Sequence, residues 1–297
     1  MLKKQIGKEK TMETTVYLIR HSVRLNMKNN IESYNTTQEN LIKSEKIILS
    51  VTGERRAEKL SNERELQNID VVYASNCVRT LQTAKYLMEK QNLKANLDER
   101  LDERRTGKPN DKEYPDWYTR QFQDENFKTE GGESQKDVRE RMEEAFNEIV
   151  EKNKGKRIAI FTHGNAMTFL MMKWCKVENV TPNKEITLSY NGKIIFNKRL
   201  NSPEVFKLTL DENNNVKNVE NIEFEYVSDL INELYPVALD CDISSFLFWE
   251  SSVLEITDYI ESYRRKEKRK QKQIAIDNHI LADQLLKGIS VIFSEEN

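Results

Sequence analysis

The chain has 297 residues, with 47 Lys or Arg against 49 Asp or Glu, so no global field draws it to nucleic acid or a membrane surface. Its 37% hydrophobic residues suffice for one large domain or a domain with an appendage. Three cysteines without Cys-x-x-Cys or metal spacing, no apolar run of bilayer length, and too short an apolar run after the basic N-terminus for a signal peptide give a soluble cytoplasmic protein as the expectation.

Thr15 to Ile19 is a short β-branched run that predicts a buried strand. Arg20, His21, Ser22, Val23 and Arg24 follow at its C-terminal end, where open α/β sheets bind ligands. Leu25 to Leu49 is polar and predicts a long loop with a short helix. Thr52 is placed to cap a helix reaching Leu66, with Ala57 and Leu60 facing inward. A second strand is expected over Ile69–Ser75, then a helix with Val78, Leu81, Ala84 and Met88 on one face. A short strand near Ala95–Leu97 precedes Leu101 to Gly107, and Lys108 to Gly131 is irregular, with aromatics suited either to a lid or to a packed excursion.

Ser134 and Asp137 form a capping box ahead of a helix whose apolar face is Val138, Met142, Ala145, Phe146 and Ile149. Arg157 to Thr162 predicts a further strand, ending in His163, and a helix is expected from Asn165 to about Trp174. Two hairpins follow: one turning at Asn191-Gly192, the other joining Val205–Leu210 to Val216–Glu225. The expected fold is a three-layer α/β/α arrangement, its mainly parallel sheet extended by antiparallel edge strands from these hairpins. Beyond residue 226 a helical extension, 227–297, is expected. Its stripe of Phe246, Trp249, Val253, Ile256, Ile260 and Tyr263 suits packing within its own unit or a homodimer seam. A basic run, Arg264–Lys272, reads as a solvated face, and a last helix is expected over Ile274–Leu286.

Two of the three histidines, His21 and His163, terminate apolar β runs, which places both at one sheet edge. Arg79 falls in the first turn of a helix, where the macrodipole opposes a cation unless an anion lies between them. Arg20, Arg24 and Arg79 are therefore candidates to hold a phosphoryl group in guanidinium forks.

These residues resemble, in order, the motifs of the histidine phosphatase superfamily, which includes the phosphoglycerate mutases. Arg20-His21-Ser22 is similar to its Arg-His-Gly, and Ser75-x-x-x-Arg79-Thr80-x-x-Thr83-Ala84 to its second motif. Leu101-x-Glu103-Arg104, Gly132-Glu133-Ser134 and Thr162-His163-Gly164 match the remainder, over roughly residues 13–225. The resemblance implies a catalytic domain over 1–226 and a phosphomonoesterase using His21 as nucleophile. It makes Glu103 the general acid and base, and Arg20, Arg79, His163 and Arg24 the ligands of the phosphoryl oxygens, with no metal and no cofactor. Asp102, Glu99 and Glu133 are competing carboxylates near Glu103. Ser22 departs from the family's glycine, either crowding the phosphate or donating to it, and Asn76 replaces a proline. Met27 stands where the mutases carry Asn, and Arg24-Leu25-Asn26 lacks the Arg-x-Pro of the acid phosphatases. A phosphatase acting on a phosphorylated small molecule or phosphoprotein is thus favoured over mutase-type transfer, and over a non-catalytic docking protein on the same scaffold.

Overall fold

The computed structural model describes residues 13–25, 38–108, 116–224, 234–235, 237–251 and 253–294. Contacts divide the chain into two compact units, Met1–Glu225 and Tyr226–Asn297.

The first unit is built on a six-stranded sheet. Its strands are β1 (Thr14–Arg20), β2 (Val71–Ala74), β3 (Ala95–Leu97), β4 (Arg157–Thr162), β8 (Val205–Leu210) and β9 (Val216–Ile222). The order is β3-β2-β4-β1-β8-β9, with the first four parallel and β8 and β9 antiparallel at one edge. Both faces are covered, as unbroken apolar strands require. Val16 and Leu18 of β1 join Ile158 and Ile160 of β4 on one face. They pack against α5 (Gln135–Lys152) and α6 (Gly164–Met171). Tyr17 and Ile19 join Ala159 and Phe161 on the other, against α2 (Val51–Asn62) and α3 (Val78–Gln91). This is the expected three-layer arrangement.

Several expectations need correction. Ser50, not Thr52, caps α2, its hydroxyl accepting the Gly53 N–H at 3.0 Å. That helix stops at Asn62, and a separate 3₁₀ turn covers Arg64–Leu66. The strand expected over Ile69–Ser75 is only Val71–Ala74, and the helix expected to reach Trp174 ends at Met171. A strand absent from the sequence reading, β5 (Lys176–Val180), pairs with β6 (Glu185–Tyr190). With β7 (Lys193–Arg199) these make a second, three-stranded sheet. The Asn191-Gly192 hairpin therefore belongs to this sheet and does not extend the main one, as the β8–β9 hairpin does. The turn itself is as expected, with φ of 49° and 77° at its two residues, the left-handed pair that Asn-Gly favours.

The aromatic segment after Lys108 is helical over α4 (Trp117–Gln123), residues 109–115 lying outside those described. Phe122 is core, edge-to-face on Phe169 of α6 at 5.3 Å, whereas Trp117 and Tyr118 face the cleft described below. The polar stretch after Arg24 contains α1 (Gln38–Glu45), and residues 26–37 lie outside those described.

In the second unit the helix expected to carry Phe246 to Tyr263 is divided between α7 (Ser245–Glu250) and α8 (Val253–Ser294), and α8 also takes in the last helix expected. Residues 253–287 contain neither Gly nor Pro, and the basic run is made of strong helix formers, so nothing interrupts it. Ile256 and Ile260 of the predicted stripe pack with Ala238, Cys241, Ile243 and Phe248, with Tyr263 beside them. The side chains of Phe246, Trp249 and Val253 lie outside those described.

Because α6 carries the segment after His163, its docking governs the site. Phe169→Ala removes a fully buried ring from that dock and is expected to cost about 3–5 kcal/mol in urea unfolding. A loss below about 1 kcal/mol would contradict this packing.

Candidate active site

The parallel pairing of β1 with β4 sets Arg20 opposite Thr162, so the next residue of each strand, His21 and His163, leaves the sheet at the same edge. The His21 N–H donates to the Thr162 carbonyl at 2.9 Å, which locks the two exits together. The ring centroids stand 5.2 Å apart at 64°. The sequence-level inference of a shared edge is met, and the strands are immediate neighbours.

Hydrogen bonds define both tautomers. His21 Nδ1 lies 2.7 Å from the Ser22 carbonyl, a pure acceptor, so Nδ1 donates and Nε2 keeps a free lone pair. Arg79 Nη2, a pure donor, lies 3.0 Å from His163 Nδ1, which must accept. His163 Nε2 then donates to Ser75 Oγ at 2.8 Å, Ser75 donates to Thr80 Oγ1 at 2.9 Å, and Thr80 donates to the Cys77 carbonyl at 2.6 Å. The chain of donors runs one way from Arg79 to a carbonyl, with every member satisfied.

Electrostatics agrees with that assignment. Burial, reinforced by the guanidinium groups of Arg79 and Arg20, holds His21 well below the ordinary 6.5. Burial and then Arg79 do the same for His163. Both imidazoles are neutral, at 7% and 0% exposure.

Arg79 is also buried, and its Nη1 donates to the Ser44 carbonyl at 2.7 Å. Arg20 donates through Nη1 to the Leu200 and Asn201 carbonyls at 2.7 and 2.9 Å. The Nε donors of both arginines are buried without a partner. Buried guanidinium donors left open beside two neutral imidazoles form a site for an anion. Arg24 makes only a single bridge to Leu49 through its backbone, and its exposed side chain lines the same cleft.

Ser22 neither crowds this space nor donates into it. Its hydroxyl turns away to the Gly53 carbonyl at 2.7 Å, and its N–H donates to Thr83 Oγ1 at 2.9 Å. Gly53 is needed for that approach: a Cβ there would stand 2.0 Å from the Val23 carbonyl oxygen.

Glu103 lines the cleft, and its Oε1 accepts the N–H groups of Arg104 and Ala166 at 2.9 and 3.1 Å. Arg141 of α5 holds the preceding carbonyls, donating to Arg100 and Asp102 at 2.7 and 2.9 Å. Glu133 pairs with Arg141 at 2.9 Å and accepts the Arg105 N–H, so it braces this loop and does not enter the cleft. Glu99 likewise does not line it. Arg104, only 1% exposed, is fixed by the Glu133 carbonyl and Gln121 Oε1. Of these two bracing arginines, the sequence marks Arg104 only within the Leu-x-Glu-Arg motif and Arg141 not at all, because their partners come from different elements.

Asp102 accepts the Asn76 N–H at 2.9 Å, and burial raises it to about 6. With Cys77 and His163 it presents ligand atoms within 4.8 Å of one another. His163 Nε2 is committed to Ser75, however, and burial pushes the Cys77 thiol up to about 11. Arg79 adds positive charge beside them, so the trio suits hydrogen bonding better than a dication.

The cleft occupies about 730 Å³ and brings together Arg20, His21, Arg24, Arg79 and Glu103. His163 stands behind it, against Arg79 and the His21 ring.

The neutral histidines have a measurable consequence. The unfolded chain takes up a proton at each as pH falls through about 6.5, whereas the folded chain does not, so stability falls with falling pH. Each histidine is expected to remove about 1 kcal/mol between pH 7.5 and 5.5. Urea unfolding of His21→Gln should show that much less pH dependence than the original chain. Identical pH dependence in the two would show that His21 titrates alike in the folded and unfolded chains, against a buried neutral imidazole.

A family model of the histidine phosphatase superfamily (branch 1) matches residues 16–194. No curated protein matches the chain in sequence. Among solved structures, a mycobacterial glucosyl-3-phosphoglycerate phosphatase in complex with inorganic phosphate is similar at 16% identity and TM-score 0.51, covering 71% of this chain and 97% of that one. "Mycobacterial hydrolase 2" is similar at 17% identity and 0.52, covering 74% and 96%. The Bacillus stearothermophilus protein YhfR is similar at 22% identity and 0.50, covering 68% and 94%. These likenesses establish a shared fold, and the family match spans more than half of the sequence. With its histidines and arginines gathered at one sheet edge, the chain belongs to branch 1 of the histidine phosphatase superfamily.

Proposed function

We propose that the chain is a phosphomonoesterase working through a phosphohistidine on His21. The observation that carries this reading is the free Nε2 lone pair of a neutral, buried imidazole in one cleft with two arginines whose Nε donors have no protein partner. Phosphatases among the solved structures with this fold support the same class.

In this mechanism His21 Nε2 attacks phosphorus in line, forming the N–P bond as the ester P–O bond breaks. Glu103 gives its proton to the departing alkoxide, and the alcohol leaves. A water then loses a proton to the Glu103 carboxylate and attacks phosphorus, and the N–P bond breaks to restore neutral His21. Arg20, Arg79 and Arg24 neutralise the equatorial oxygens throughout. His163 is a ligand of these oxygens in a particular sense. In the resting site its Nδ1 accepts from Arg79 and has no hydrogen to offer. An arriving dianion offsets the charge of Arg79 and draws that guanidinium forward, which frees His163 Nδ1 to take up a proton and donate.

Glu103 is favoured over Asp102 as the acid because it lines the cleft, and because both its backbone hydrogen bonds fall on Oε1, leaving Oε2 to carry the proton. All of these residues belong to the first unit. The substrate is a phosphorylated small molecule or phosphoprotein, and the C-terminal helices are a seam for a homodimer or a brace within their own unit.

Release of inorganic phosphate from p-nitrophenyl phosphate tests the reading, with His21→Ala expected to abolish it. Equal rates in the two proteins would favour a docking role, and with 3-phosphoglycerate as the ester, an isomeric phosphoglycerate in place of inorganic phosphate would mark a mutase. Glu103→Gln is expected to lower kcat/KM, which reports the transfer to His21 alone, about 10²–10⁴-fold on alkyl phosphates, and about tenfold or less on p-nitrophenyl phosphate, whose leaving group needs no acid. If Asp102→Asn shows that leaving-group dependence and Glu103→Gln does not, Asp102 is the acid.

A further inference from the structure

The cleft carries more positive charge than one phosphoryl group requires. Among the described residues six cations line it, Arg20, Arg24, Arg79, Arg104, Lys184 and Arg199, against one carboxylate, Glu103. Arg104 is turned into the protein, towards Gln121 and the Glu133 carbonyl. Arg20, Arg79 and Arg24 serve the phosphoryl group in the mechanism above. Lys184 and Arg199 are left over, and neither has an ion-pair partner among the described residues. Arg199 lies opposite Glu185 in the β6–β7 register, yet the two form no ion pair.

Both residues are held in place. Arg20 donates to the Leu200 and Asn201 carbonyls, so the backbone directly after Arg199 is pinned to the residue that precedes His21. The proximity is visible electrostatically, since Arg199 acts on both Arg20 and Tyr118. Lys184 ends the Thr181–Lys184 turn, its N–H donating to the Thr181 carbonyl at 2.9 Å, in a left-handed conformation (φ 66°) that long side chains seldom adopt. Its Nζ stands over the Tyr118 ring, 5.4 Å from the centroid, and Trp117 meets Tyr118 edge-on at 5.9 Å. Two cations thus flank an aromatic wall in the same cleft as His21.

We propose that Lys184 and Arg199 form a second anion subsite, which selects phosphomonoesters carrying another negative group, a carboxylate or a second phosphate, with the Trp117–Tyr118 wall contacting the carbon skeleton between. This rests on the phosphomonoesterase reading. Two cations left unpaired beside a third and fourth repel one another, and a ligand anion between them removes that repulsion while gaining charge-assisted hydrogen bonds. The substrate is therefore dianionic at one end and anionic again at the other.

The test uses the full-length protein and pairs of compounds differing in the second charge: 3-phosphoglycerate with glycerol 3-phosphate, 6-phosphogluconate with sorbitol 6-phosphate, and fructose 1,6-bisphosphate with fructose 6-phosphate. The readout is the ratio of kcat/KM within each pair. In at least one pair it should exceed about tenfold in the original chain and fall towards one in Lys184→Met/Arg199→Gln, with each single substitution removing part of it. The first two pairs report a carboxylate, the third a second phosphate. Circular dichroism melts check that the variants fold. Ratios near one throughout, or ratios unchanged in the double variant, overturn the subsite while His21-dependent hydrolysis leaves the phosphatase reading standing. If no compound is hydrolysed, the phosphatase reading fails, and calorimetric binding of the same pairs decides the subsite. Tighter binding of the doubly charged member that is lost in the double variant supports it, and equal binding within every pair overturns it.

Discussion

The whole site depends on one register of backbone pairing. Because β1 and β4 run parallel with Arg20 opposite Thr162, the residues that follow, His21 and His163, leave the sheet together, and the hydrogen bond from His21 N–H to the Thr162 carbonyl fixes their separation. A slip by one residue would turn every side chain of β1 to the other face, exchanging Val16 and Leu18 with Tyr17 and Ile19. The burial of both faces makes that slip costly, so the hydrophobic core is what holds two imidazoles at 5.2 Å. Core and chemistry are thus the same constraint seen from two ends of a strand.

Around that edge the protein separates groups that carry charge from groups that must not. Burial and neighbouring guanidinium groups keep both imidazoles neutral, while the Ser22 carbonyl fixes the tautomer of one and the relay of Ser75 and Thr80 takes the N–H of the other. The arginines stay cationic, with part of each guanidinium committed to backbone carbonyls and part left open. A second layer places the carboxylate: Arg141 grips the carbonyls before Glu103, Glu133 grips Arg141, and α6 offers Glu103 an N–H from its first turn. The imidazoles, guanidinium groups and carboxylate therefore come from several elements, with Glu103 braced by side chains that do not line the cleft.

Much of this was legible in the sequence, for identifiable reasons. Strand ends announce themselves through apolar runs that stop abruptly at charged residues, which is how Arg20, His21 and His163 stood out. Arg79 was marked by its unfavourable place at a helix start. The capping box of Ser134 and Asp137 and the Asn-Gly turn are local chemistry and formed as expected. Long-range choices were not legible. Nothing local tells β6 and β7 to pair with β5 instead of the main sheet, and β5 itself, with one face solvated and two acidic or amide residues in five, has little strand signature. The destination of the Ser22 hydroxyl was equally hidden, because Gly53 lies on a separate element, α2. Arg104 and Glu133 stand within motifs of the sequence, but that they brace the site from within only their burial and partners reveal.

The central claim is that one imidazole, His21, takes a phosphoryl group within a ring of guanidinium groups. Rapid mixing with a phosphate ester labelled at phosphorus, followed by a quench in base, which preserves phosphohistidine, examines it directly. The account predicts label on the peptide containing His21 within the first turnover, and none in a His21→Ala chain. Label on another residue, or full turnover with no label on protein at any time, would contradict it.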